Sequence, residues 1–144
     1  MPASTSVKLN TGALMPTVGL GTWKSKPGEV EHAVEHALKI GYTHIDTAAA
    51  YRNESEVGLG IKRSGVPRES FFLTTKLDNP DQRNAAEALE SSLKNLGTDY
   101  LDLCEYSYDL YRKCCRLTRK GRAHALGKSS HDFYLLYFYN ERDV

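Results

Sequence analysis

Three ionisable side chains have the types and spacing for proton chemistry: Asp46, Tyr51 and Lys76. Asp46 closes the short stretch Tyr42-Thr43-His44-Ile45, Tyr51 follows five residues later, and Lys76 closes the stretch Phe71-Phe72-Leu73-Thr74-Thr75. A phenol with an ordinary pKa of about 10 is a reluctant acid at neutral pH, but a nearby ammonium favours the phenolate and eases proton delivery to an oxygen. A carboxylate beside that ammonium would hold it in place and keep it charged. Residue types alone leave plainer readings open, with Asp46 capping the next helix and Lys76 a solvated strand-end lysine. Topology would bring the two together without deciding between these readings. Both residues end strands, and in α/β barrels the strand-to-helix loops gather on one rim.

The elements that would position them follow in a regular order. Val7-Lys8-Leu9 and Leu14-Met15-Pro16 flank Asn10-Thr11-Gly12-Ala13, a pattern that predicts a small hairpin. Thr17-Val18-Gly19-Leu20 reads as a first buried strand that runs into Gly21-Thr22-Trp23, and its glycines lack the spacing of a dinucleotide fingerprint. After Pro27, Val30, Ala33, Val34, Ala37 and Leu38 recur on one helical face, and Gly41 stops the helix. His32 and His36 lie one turn apart beside Glu31 and Glu35, and read as a solvated face rather than a metal pair; no metal site is expected.

Asn53 is expected to cap a helix, with Glu56 completing a capping-box variant, that runs through Val57 and Ile61 to Gly65 and is weakened by Gly58 and Gly60. Pro67 breaks the chain before the strand that ends at Thr75. A further helix carries Ala86, Leu89, Leu93 and Leu96 on one face and stops at Gly97, and Tyr100-Leu101-Asp102-Leu103 reads as a fourth strand. Strand centres recur about every 28 residues, the signature of repeated strand-helix units. Four such units make half of an eightfold barrel.

A chain of 144 residues that is 40% hydrophobic and 26% charged allows one ordinary globular domain. Its formal net charge of +1 gives no overall pull toward nucleic acid or membrane. Met1-Pro2-Ala3-Ser4-Thr5-Ser6 shows no secretory pattern, so a cytoplasmic location is expected. Cys104, Cys114 and Cys115 are odd in number and two are adjacent, which suits neither a disulfide framework nor zinc pairs; they read as free thiols.

Gly21-Thr22-Trp23, Ile45-Asp46-Thr47-Ala48 with Tyr51, Asn53-Glu54 with Val57-Gly58, Thr75-Lys76-Leu77, Leu93-Lys94 with Leu96-Gly97, and Asp99-Tyr100-Leu101-Asp102-Leu103 stand in the order and spacing of the N-terminal part of an aldo-keto reductase. The resemblance covers roughly residues 7–103. It implies an α/β fold: an incomplete (β/α)8 TIM barrel, the first four strand-helix units preceded by a β-hairpin that closes the bottom. It also implies NADPH or NADP+ as cofactor, with Gly21, Thr22, Trp23, Lys24 and Asp46 beside it, and a pocket lined by Trp23 and Tyr51. Tyr51 would be the general acid, assisted by Lys76 and Asp46. The substrate would be a small aldehyde or ketone or, in the reverse direction, a polyol such as glycerol, as in fungal members.

The pattern changes after Leu103, and residues 104–144 read as a separate tail. Where the family has His-Trp-Pro after the fourth strand, this chain has Cys104-Glu105-Tyr106-Ser107-Tyr108-Asp109, and the fourth catalytic residue, that His, is absent. Arg112, Lys113, Arg116, Arg119, Lys120 and Arg122 crowd together, and Phe133 to Tyr139 form an uncharged aromatic run. Three readings compete: a truncated or misread transcript, which is favoured, a basic arm for nucleic acid or acidic lipid, and a substitute packing segment. The aromatic run is too short to span a bilayer, which needs about 20 residues. The rival to an active reductase is a catalytically inactive fragment that acts as an interaction module. A half-barrel leaves strand edges open, and a homodimer through those edges is one remedy.

Overall fold

The hairpin pairs β1 (Ser6–Lys8) with β2 (Leu14–Pro16) antiparallel, Val7 opposite Met15. Its turn closes where the Gly12 amide donates to the Leu9 carbonyl at 2.9 Å, with Gly12 at a φ of 94°. The computed structural model describes residues 6–9, 11–78, 84–107, 124–125 and 133–137, through the backbone alone at 106–107 and in the last two segments.

Beyond the hairpin the chain alternates β3 (Leu20–Gly21), α1 (Glu29–Lys39), β4 (His44–Asp46), α2 (Glu54–Ser64), β5 (Phe72–Lys76), α3 (Ala85–Leu96) and β6 (Leu103–Ser107). The strands β3, β4, β5 and β6 lie side by side and parallel in that order. This is the opening part of a (β/α)8 barrel, three complete strand-helix units and the strand of a fourth. The residues that would form the fourth helix lie outside the described ones.

The two faces of the sheet bury different things because side chains alternate along a strand. Toward the helices, Ile45, Leu73 and Cys104 join Val30, Val34 and Leu38 of α1, Val57 of α2 and Leu96 of α3 in the main core. Toward the barrel interior, Phe72 and Leu103 pack on Leu9, with Ala13 and Met15 of the hairpin against them, so the hairpin closes the bottom. On that inner face His44 bonds the Pro16 carbonyl through Nδ1 at 2.9 Å and the Thr74 hydroxyl through Nε2 at 3.0 Å. A carbonyl can only accept, so Nδ1 carries the proton. Gly19 passes so close that a Cβ there would lie 2.8 Å from the His44 ring.

Several local expectations are corrected. The first strand is Leu20–Gly21 rather than Thr17–Leu20, and Val18 is 65% exposed. The fourth strand pairs from Leu103 rather than Tyr100, because the Asp102 carboxylate accepts the Leu73 amide at 2.8 Å, where a strand carbonyl would otherwise serve. Arg68 holds that carboxylate at 2.6 Å and also donates to the carbonyls of Phe71 (2.8 Å) and Tyr100 (3.3 Å) and to the Thr98 hydroxyl (3.2 Å). Asn53 stands at the N-cap position of α2 but makes no side-chain cap; its Nδ2 instead donates to the Thr22 carbonyl at 2.9 Å. The partner expected to complete that box, Glu56, accepts the Gly28 amide at 2.8 Å.

Beyond β6 the sheet continues. A strand β8 (Phe133–Tyr137) pairs antiparallel with β6, Ser107 opposite Phe133, and β7 (His124–Ala125) pairs with β8. Cys104 is buried in the core. The basic run and Cys114 and Cys115 lie outside the described residues. Among the described residues no helix is long and apolar enough to cross a membrane.

Candidate active site

The strand ends bring the carboxylate and the ammonium together. In the β4–β5 register Asp46 pairs with Thr74, so Lys76 stands one same-face step farther along β5. Its ammonium reaches back across the strands to an ion pair with Asp46 Oδ1 and donates to the Thr47 carbonyl at 3.1 Å. That carbonyl is held, since the Thr47 amide donates to Thr74 at 2.9 Å. The Lys76 and Asp46 side chains are 27% and 44% exposed, so the pair sits at the mouth of the sheet and not inside it.

Tyr51 arrives on a short 3-10 turn, Ala49–Tyr51, after the Ala48 carbonyl accepts the Tyr51 amide at 3.0 Å. The Lys76 ammonium lies 5.5 Å from the centre of its ring. The Trp23 ring stands 6.4 Å from that of Tyr51 at a tilt of 31°, and Lys24 places its ammonium 4.5 Å from the centre of the indole. Among the described residues no hydrogen bond joins the Tyr51 hydroxyl to Lys76.

Of the residues expected beside a cofactor, Gly21, Trp23 and Lys24 are exposed, Trp23 by 66%, and they form an open shelf next to the Asp46–Lys76 pair. A Cβ on Gly21 would meet nothing within 4 Å, so the backbone there is open. Thr22 differs from the others. It is buried, its amide donates to the Asp46 carbonyl at 3.0 Å, its hydroxyl donates to Thr47 at 2.9 Å, and its carbonyl accepts Asn53. It supports the shelf from behind.

Sequence reasoning missed that support. Glu54 is 4% exposed, and its Oε1 accepts the Thr75 hydroxyl at 2.7 Å, directly behind Lys76. Helical spacing carries the signal, because Glu54, Val57 and Ser64 fall on the buried face of α2. Glu105 was also missed as a site residue. Burial pushes its carboxyl above the usual range, and the Asp46 charge adds to this while the Lys76 ammonium opposes it.

A model of the aldo/keto reductase family matches residues 17–109, more than half of the chain and past Leu103. The chain belongs to this family. An aldehyde reductase of Saccharomyces cerevisiae, YPR1, is 52% identical over 116 residues, which cover 81% of this chain and 37% of the relative. The NADP+-dependent glycerol 2-dehydrogenase of the same yeast is 58% identical over 97 residues, 67% of this chain and 31% of that enzyme. Among solved structures, an aldo/keto reductase from Brucella melitensis superposes with a TM-score of 0.71 at 45% identity, covering 77% of this chain and 45% of that one. A Bombyx mori aldo-keto reductase in complex with NADP gives a TM-score of 0.63 at 41% identity, over 69% of this chain and 36% of that one. This member of the aldo/keto reductase family thus spans between about a third and half the length of the relatives it matches.

Proposed function

We propose that this chain carries the proton-relay part of an NADPH-dependent carbonyl reductase, with Tyr51 as general acid and Lys76 and Asp46 as its electrostatic support. The observation that carries the reading is the Lys76 ammonium, held by Asp46 and the Thr47 carbonyl on one side and 5.5 Å from the Tyr51 ring on the other. The relay works by charge. A cation this near stabilises the phenolate left when Tyr51 gives its proton to a substrate oxygen, and Asp46 keeps the cation in place.

Gly21, Trp23, Lys24 and the outer edge of Asp46 would hold NADPH, which when bound supplies the hydride. Trp23 and Tyr51, two rings 6.4 Å apart at an open rim, would flank a small aldehyde or ketone and orient its oxygen toward the phenol. The names of the yeast relatives, an aldehyde reductase and a glycerol 2-dehydrogenase, support small carbonyl and polyol substrates for this chain as well. The test is NADPH consumption by the purified full chain with a panel of small aldehydes, ketones and polyol-derived carbonyls. Aldehyde-dependent loss of NADPH supports the reading. No turnover and no change in NADPH fluorescence from a chain that circular dichroism shows to be folded would overturn it.

A further inference from the structure

A lysine ammonium has three N–H donors, and Lys76 uses two of them, on Asp46 and on the Thr47 carbonyl. The side of Lys76 away from Asp46 is occupied by β6. There the parallel register sets Glu105 directly beside Lys76, and the Leu77 amide donates to the Glu105 carbonyl at 2.9 Å. Register partners on adjacent strands project from the same face of a sheet. The Glu105 carboxyl and the Lys76 ammonium therefore leave the sheet side by side. Glu105 is half-buried, and its carboxyl makes no hydrogen bond among the described residues. A carboxylate in that position is costly unless a cation faces it. The charged groups that act on it are Lys76 from β5 and Asp46 from β4; its register partner in β8, Leu135, is apolar.

We propose that Glu105 is a positioning residue of this site, an acid that shares the Lys76 ammonium with Asp46 and by its own charge tunes how strongly Lys76 acts on Tyr51. When Glu105 is a carboxylate, the ammonium faces two anions and its field at the phenol is weakened. When Glu105 is a neutral acid, the ammonium faces Asp46 alone and acts on Tyr51 more strongly. The consequence at Tyr51 rests on the reductase reading; the pairing of Glu105 with Lys76 does not. Burial and the Asp46 charge, which both raise the Glu105 carboxyl, place this change of state closer to neutrality than for an exposed glutamate.

The test is a carboxyl titration of the full chain labelled with carbon-13 glutamate, the Glu105 resonance being identified by its loss in Glu105→Gln. Removing the cation in Lys76→Met should move the Glu105 midpoint up by about one pH unit, and Lys76→Arg should return it toward the parent value. Asp46→Asn should move it down. Shifts of opposite sign, with rescue by arginine, are what a charge pairing produces and a loosened structure does not. Both partners stand at the exposed mouth of the sheet, so these variants should fold. A Glu105 midpoint that moves by less than about 0.3 unit in both Lys76→Met and Asp46→Asn would overturn the pairing. In turnover, Glu105→Gln should remove an acid-side inflection from the pH profile of kcat/KM, and an unchanged profile would overturn the tuning. The two readings fail separately: opposite shifts without any NADPH turnover sink the reductase and uphold the pairing.

Discussion

Replacing Gly60 by alanine decides between a local and a tertiary reading of α2. Helix propensity alone favours the change by about 1 kcal/mol, since glycine is among the poorest helix formers. The fold reverses the sign. A Cβ at Gly60 would lie 2.5 Å from the Glu31 carbonyl oxygen and 2.9 Å from Val34 Cβ, both on α1, where ordinary contact begins at 3.4 Å. Backbone cannot rotate away, so α1 would have to retreat by about 1 Å over a core in which Val34 and Val57 are fully buried, at an overpacking cost of about 1–3 kcal/mol. After the propensity gain, Gly60→Ala should lose roughly 0–2 kcal/mol in urea unfolding followed by circular dichroism, and should not gain. Leu59→Ala, at a half-exposed position beside it, should change stability by less than about 1 kcal/mol. A Gly60→Ala chain more stable than its parent would refute the close approach of the two helices.

Three further outcomes follow from the polar contacts. Arg68→Met should cost about 2–4 kcal/mol, because Asp102 is left without its cation and the Phe71 carbonyl and Thr98 oxygen without their donor, the Tyr100 carbonyl keeping only the Thr98 hydroxyl; a thermal midpoint near the parent's would contradict this. Thr75→Val keeps the shape but takes the hydroxyl from the buried Glu54 carboxylate, and should cost about 1–3 kcal/mol in denaturant titration, whereas a neutral result would mean that the bond is not made. Folding raises the Glu105 carboxyl, so its contribution is full at low pH and is lost as pH rises from the ordinary glutamate value near 4.3 through the raised one. Glu105→Leu should therefore flatten stability over that window and gain at pH 7; an unchanged slope would count against the burial of Glu105.

The rim was legible in the sequence because it depends on a repeat. A strand-helix period of about 28 residues puts successive strand ends at one edge, so Asp46 and Lys76 could be placed together before their contact was known. What failed was local chemistry under tertiary competition. Asn53 has the type and position of a cap, but the Thr22 carbonyl crossing nearby takes its amide. Gly58 and Gly60 looked like weak points of α2, yet they are where α3 and α1 come closest, and no local rule encodes a neighbouring carbonyl. The edges of the sheet misled as well: Val18 is apolar but exposed, and Asp102 accepts a strand amide with its side chain. Glu105 could not be read at all without the register that sets it beside Lys76.

In the proposed relay Tyr51 delivers the proton and Lys76 makes it able to. Aldehyde-dependent NADPH oxidation by the full chain, measured beside Tyr51→Phe and Lys76→Met, tests it most directly. The relay predicts a loss of about 100-fold or more in kcat/KM in both variants, with NADPH binding kept in Tyr51→Phe. Turnover by Tyr51→Phe within a few-fold of the parent would mean that the proton comes from elsewhere.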